Sequence, residues 1–335
     1  MKLVNKKTGF GVCLFAMCLC ANAQQNMKVV ATYPVSGNGR YDYLARSESG
    51  KLYVSHGNQV NILDEETGKE LGVIQGLSGV HGIAFDYENN KGFISNGAAN
   101  NVSVFDLQTD KVTDTIATEK NPDCIVYEPF TKTIITANGR SASLSFIDPK
   151  TEKVIRNLPI GGKPETIASD GNGLLFVNLE DKSEIVKVDL KTFEILKNIP
   201  LAPGEAPTGL AIDVANKLLF SGCADSKTLV IVDYEKETVI NSYPIGAGCD
   251  FVTYYPCGET VYASCGGDGV LTVLKRKDTN NYEVSTVITA TGARTMAFNM
   301  LTNTVYLSAP TFSSTPDANG RKSIVPNSFK VLVVR

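Results

Sequence analysis

Seven times along the chain a short segment with a polar residue at its centre leads into an apolar run, and the runs alternate as half-buried strands do. The segments are RYDYL (40–44), GVHGI (79–83), NPDCI (121–125), KPETI (163–167), APTGL (206–210), GCDFV (248–252) and GARTM (292–296). Their central residues, Asp42, His81, Asp123, Glu165, Thr208, Asp250 and Arg294, stand 39, 42, 42, 43, 42 and 44 residues apart. Self-similarity at about 40 to 45 residues is the mark of one four-stranded blade per repeat. The pattern therefore predicts an all-β chain folded as a seven-bladed β-propeller of four-stranded antiparallel blades.

Two further registers keep the same period. Runs ending in a small or polar residue follow each segment: YVSH (53–56), FISN (93–96), TAN (136–138), FVN (176–178), FSG (220–222), YAS (262–264) and YLS (306–308). Alternating runs such as VNILD (60–64), VSVFD (102–106) and LSFID (144–148) come next and meet polar turns of the Asp-x-x-Thr kind. A fourth strand follows each turn, as in KVTDTI (111–116) and KVIRNL (153–158). The last repeat lacks one, because the chain stops at Arg335 directly after FKVLVV (329–334). A run of matching character, MKVVATYPV (27–35), precedes the first repeat and is expected to close the ring, leaving no open sheet edge.

Residues 1–23 have a different pattern. Lys2, Lys6 and Lys7 precede the apolar run VCLFAMCLC, which ends in Ala21-Asn22-Ala23, the form of a secretory signal peptide cut near Ala23. The expected organisation is a signal peptide over 1–23 and one propeller domain over 24–335, with the product periplasmic or secreted. The run is too short for a mature transmembrane anchor. The residues before Cys18 and Cys20 are Met17 and Leu19, neither of them small, which disfavours a lipid anchor.

Cleavage takes away three lysines and no acid, so the formal charge moves from −3 to −6. An acidic surface disfavours nucleic acid as a partner. Five cysteines remain, Cys124, Cys223, Cys249, Cys257 and Cys265, an odd number that leaves at least one thiol unpaired and the pairing of the others open. There is no tryptophan, which excludes Trp-docked repeats and Trp-based sugar or methylammonium cages.

The first strand of a blade starts where its antiparallel neighbour ends, so both polar registers are expected at one mouth of the central channel. The candidate ligand-binding residues are Asp42, His56, His81, Asn96, Asp123, Asn138, Glu165, Asn178, Asp250 and Arg294. Imidazoles and carboxylates that converge can recognise a ligand or hold a divalent metal, for which His56, His81, Asp42 and Asp123 are the candidate donors. The spacing is that of blades and not of a metal motif; there is no H-E-x-x-H, no paired C-x-x-C, no phosphate loop and no G-x-S-x-G. A polar lining is also what a water-filled channel needs without any further purpose. One insertion breaks the repeat, APTFSSTPDANGRKSIVPNS (309–328), and is expected on the mouth face with Phe312, Arg321 and Lys322 near the site.

The runs YVSH, FISN and VYAS, each followed by a V-x-V-x-D-like run and a T-x-K-V-like turn, resemble the repeat of YVTN β-propeller proteins. The whole chain after residue 23, including its ending VPNSFKVLVV, is similar to the exported YncE-like family. That resemblance implies a seven-bladed propeller outside the cytoplasm, serving as a binding or interaction module with no settled catalytic set. The leading expectation is a monomeric, non-catalytic binding protein that needs no cofactor and recognises a small molecule, an envelope polymer or a protein at the channel mouth. The alternative is a metal-dependent hydrolase or lyase with its site at the same mouth.

Overall fold

Second strands such as Lys51–His56, Thr133–Asn138 and Leu218–Cys223 are buried along nearly their whole length, small and polar residues included, so both their faces are covered, and that requires blades to stack against one another. The computed structural model describes residues 27–279, 281–316 and 322–335. It consists of seven four-stranded antiparallel sheets in a ring, with inner strands Tyr41–Arg46, Val80–Asp86, Pro122–Glu128, Pro164–Ser169, Pro207–Asp213, Cys249–Tyr255 and Met296–Asn299 opening blades 1 to 7. The one helical element among the described residues is a 3₁₀ turn at Pro256–Gly258. The expected signal peptide, its cleavage point and Arg321 lie outside the described residues.

The predicted closure is present. Blade 7 is ordered Met296–Asn299, Thr304–Ala309, Lys330–Val334, Val29–Pro34, so the first strand of the chain completes the last sheet. Blade 1 is then fastened to blade 7 at the face opposite the mouth by Glu65. Its carboxylate accepts from Arg46 Nε at 2.8 Å, from the Tyr306 hydroxyl at 3.0 Å and from Asn299 Nδ2.

Blades meet through one repeated wedge. The second strand of each blade carries Tyr53, Phe93, Ile135, Phe176, Phe220, Tyr262 or Tyr306 at one equivalent position, all of them buried. Complete burial of such a side chain contributes about 1.5–3 kcal/mol, so this layer is a major term holding the ring. Inner strands approach closely where residues are small: a Cβ at Gly209 would sit 2.6 Å from the Val252 nitrogen of the next blade. The Asp-x-x-Thr turns form as expected, with Asp64 Oδ1 accepting from the Thr67 amide at 2.8 Å and Asp106 Oδ1 from the Thr109 amide at 2.8 Å.

Removing residues 27–34 leaves the ladder of Lys330–Val334 open on one side. The melting temperature is expected to fall by about 10 °C or more, or the protein to become insoluble. A truncated protein with the full-length melting temperature in a circular dichroism melt would contradict closure by this strand.

Candidate functional site

In each of the first six blades the ladder between inner and second strand slips at the same place. The irregularities fall between Tyr41 and Leu44, Val80 and Ile83, Pro122 and Ile125, Pro164 and Ile167, Pro207 and Gly209, and Cys249 and Phe251. Each interval contains one polar centre of the sequence repeat: Asp42, His81, Asp123, Glu165, Thr208 and Asp250. A bulge re-aims a side chain and takes backbone groups out of the ladder. Several freed carbonyls are claimed by hydroxyls and amides of the preceding blade. Ser95 Oγ donates to Asp123 O at 2.5 Å, Thr166 Oγ1 and Asn178 Nδ2 to Thr208 O at 2.6 and 3.2 Å, and Thr208 Oγ1 to Cys249 O at 2.7 Å. Ser264 Oγ donates to Arg294 O, and Thr295 Oγ1 to Asp42 O at 2.6 Å.

The re-aimed side chains form a charged chain through five blades. Arg294 Nε lies 3.3 Å from Asp250 Oδ2, and its Nη2 lies 3.7 Å from Asp42 Oδ1 and donates to Tyr41 O at 2.9 Å. His81 Nδ1 is 2.5 Å from Asp42 Oδ2 and 3.6 Å from Asp123 Oδ1. In blade 4, Lys163 Nζ reaches Glu165 Oε1 at 2.8 Å and also pairs with Glu180. Thr208 brings no free hydroxyl proton, since it is committed to backbone carbonyls.

Below this ring the channel is closed. Tyr43 of blade 1 belongs to one buried cluster with Cys124 of blade 3 and Ile167 of blade 4, and its ring lies 5.9 Å from Phe251 of blade 6. Residues from those four blades can meet only at the axis. The mouth is thus a shallow polar basin on an apolar floor, and desolvation there disfavours charge. Burial, reinforced by Asp42, pushes Asp123 up to about 7. Burial and the Asp123 charge push Glu165 up to about 8 against the pull of Lys163, and burial pushes Asp250 up to about 6 against Arg294. For His81 burial opposes the proton, but the Asp42 hydrogen bond and the charges of Asp123 and Asp42 outweigh it and the pKa is raised.

The second sequence register does not line this mouth. His56, Asn96 and Asn138 pair across the ladder with Tyr41, Val80 and Pro122, whereas the residues paired at that point in blades 4 to 6 are Leu179, Cys223 and Cys265. The expected ring therefore mixed two positions one residue apart, and one residue reverses the face of a strand. His56 is buried away from His81, with Nδ1 3.2 Å from Ser36 O and its ring packed at a tilt against Phe329, centroids 4.3 Å apart; burial lowers its pKa. Asn96 donates to Ser103 Oγ and Asn138 to Ser145 Oγ, each at 2.9 Å inside its own blade. Asn178 is a buried clamp to the next blade. The two histidines do not converge.

Some site members were legible only in part. Lys163 and Glu180 flank ring positions, but nothing in the repeat distinguishes them from surface charges. The insertion forms a hairpin, Phe312–Pro316 with Lys322–Ile324, and Phe312 sits against Gly292, whose carbonyl accepts from the Tyr41 hydroxyl at 2.7 Å, at the rim beside Arg294. Among the described residues the five cysteines are free thiols, Cys249 facing Cys265 across the ladder and Cys257 alone exposed.

Two outcomes follow from this geometry. Asp123, Glu165, Asp250 and His81 all hold protons more tightly folded than unfolded, so their contribution to stability is full at low pH and is lost as pH rises through about 6 to 8. Carboxylates with lowered pKa, such as Glu65 and Glu70, change nothing in that window. In chelator, the melting temperature should be about 5 °C or more higher at pH 5.5 than at pH 8, and Asp123→Asn should flatten the slope by stabilising the protein at pH 8. A slope that is flat or reversed in the wild type would contradict the desolvated ring. Asn178→Ala, by contrast, should destabilise by about 1–3 kcal/mol at either pH, because the carbonyls of Thr208 and Gly209 lose a buried donor; denaturant melts with no loss of stability would remove its clamp role.

Comparison with known proteins agrees with this architecture. The family model described as YNCE-like beta-propeller matches residues 44–169 and, overlapping, 84–309. No curated protein matches the sequence. Among solved structures, a chain of Kuenenia stuttgartiensis hydrazine synthase is similar over 88% of this chain and 97% of its own, at 14% identity and a TM-score of 0.72. A chain of the mitotic checkpoint complex is similar over 99% of both chains, at 11% identity and a TM-score of 0.77. At such identities the likeness is one of fold alone.

Proposed function

Because the chain belongs to the YNCE-like β-propeller family, a fold that serves generally as a binding module, we propose that it is a non-catalytic binding protein that takes a small polar ligand at the channel mouth. The observation that carries this reading is the continuous charged chain Asp250–Arg294–Asp42–His81–Asp123, with the Lys163–Glu165 pair beside it. Asp42, Asp123, His81 and Asp250 are only 14, 20, 25 and 26% exposed, so a ligand must be small, or present a thin extension, to reach them. That favours a small molecule over the flat face of a protein or an envelope polymer.

Desolvated carboxylates that resist ionisation are costly to the fold, and a bound ligand offering donors or positive charge relieves that cost. With its work outside the cytoplasm, periplasmic or secreted, such a monomer would capture its ligand there. The competing reading, a metal-dependent hydrolase or lyase at this mouth, counted His56 among its donors; with His56 packed on Phe329 it keeps Asp42, His81 and Asp123 and loses the second imidazole.

The test is a thermal-shift screen of the purified protein against small polar metabolites, followed by calorimetry on any ligand that stabilises it. Asp250→Asn and Glu165→Gln should each weaken binding by roughly ten- to hundredfold, the loss of one charged hydrogen bond, while circular dichroism stays unchanged. A ligand bound equally well by both variants would place the site elsewhere.

A further inference from the structure

The charged chain has a gap in its neutralisation. Arg294 is shared between Asp250 and Asp42, and Lys163 between Glu165 and Glu180. Among the described residues the one ion pair of Asp123 is with His81, and that imidazole already serves Asp42 at 2.5 Å. One donor atom from each of Asp42, His81 and Asp123 lies within 4.8 Å of the others.

The imidazole is also fixed in direction. A Cβ at residue 97 would stand 2.5 Å from His81 Nε2, so the ring rests in the space that Gly97 leaves and turns Nδ1 towards the two carboxylates. The three donors come from equivalent bulges in three consecutive blades, so their spacing is set by the ring of blades and not by a flexible loop.

We propose that Asp42, His81 and Asp123 form a binding site for one first-row divalent cation, which anchors the ligand at the channel mouth. The inference rests on the mouth being the binding site and adds what first occupies it. One imidazole nitrogen with two carboxylate oxygens is a mixed, borderline-soft donor set, which suits Zn²⁺ or Mn²⁺ better than Mg²⁺ or Ca²⁺. Donors about 2.0–2.2 Å from a tetrahedral ion stand about 3.3–3.6 Å apart. The His81–Asp123 separation of 3.6 Å meets this, and the 2.5 Å His81–Asp42 contact must open by about 1 Å. The ion takes the place of the proton between those two groups, and that proton leaves to solvent. The partial exposure of all three side chains leaves coordination positions open towards the basin for water or a ligand oxygen.

The test is calorimetric titration of chelator-treated, reduced protein with ZnCl₂, MnCl₂ and MgCl₂. One equivalent of Zn²⁺ should bind at least tenfold more tightly than Mg²⁺. His81→Gln and Asp123→Asn should each weaken Zn²⁺ binding at least tenfold with unchanged circular dichroism, while His56→Gln, Asp250→Asn and Glu165→Gln leave it in place. Absence of saturable binding would overturn the proposal, as would Zn²⁺ binding that survives His81→Gln and is lost in Cys249→Ala. Because Asp250→Asn and Glu165→Gln probe the ligand and His81→Gln the ion, a failure of the ion site is separable from a failure of the mouth as a binding site.

Discussion

The rest of the structure depends on a backbone irregularity repeated at the entry of the inner strand. A bulge there releases a carbonyl from its own ladder, and a buried carbonyl must find a donor. Thr295 of blade 7 supplies it to Asp42, Ser95 of blade 2 to Asp123, and Thr166 with Asn178 of blade 4 to Thr208. Each such bond is at once an inter-blade fastening and a fixed point for the side chain of the bulged residue. Ring closure and site geometry are therefore one problem solved by the same atoms.

The consequence is an electrostatic basin that works against stability. Side chains re-aimed towards the axis meet a floor of Tyr43 and Phe251 in place of a column of water. Carboxylates above that floor lose hydration, and among the described residues Arg294, His81 and Lys163 are each shared between two of them. The buried wedges between blades, six of the seven aromatic, and the Glu65 fastening between blades 7 and 1 provide the stability that lets such a basin persist.

The sequence carried the period clearly, since each blade repeats a polar centre, six of the seven second strands carry an aromatic residue at the wedge position, and the first four blades end their third strand in an Asp-x-x-Thr turn. It carried the first ring as well, because Asp42, His81 and Asp123 occupy the same offset from the strand that follows. The second ring was misread at a single step. YVSH and FISN end one residue later than FVN and YAS in the structural register, so Ser55 and Ser95, not His56 and Asn96, match Asn178 and Ser264. A bulge shifts pairing without changing the local pattern of apolar and polar residues, which is why alternation alone could not detect it. The floor was illegible for another reason: Tyr43, Cys124 and Phe251 meet only through the closure of the whole ring, a contact between distant repeats that no local pattern encodes.

The chain has two histidines, His56 and His81, and this makes the central coupling measurable. In an NMR titration of chelator-treated protein, His81 should titrate above the ordinary imidazole value and His56 below it. Thr295→Val removes the nearer of two hydroxyl donors to the Asp42 carbonyl, the other being Ser308 Oγ at 3.3 Å, and no charge from the mouth. If the bulge bond holds Asp42 in place, the His81 pKa moves down towards the ordinary value in that variant while His56 keeps its own. A His81 titration identical in wild type and Thr295→Val would show that the mouth is held by something other than the bonds between blades.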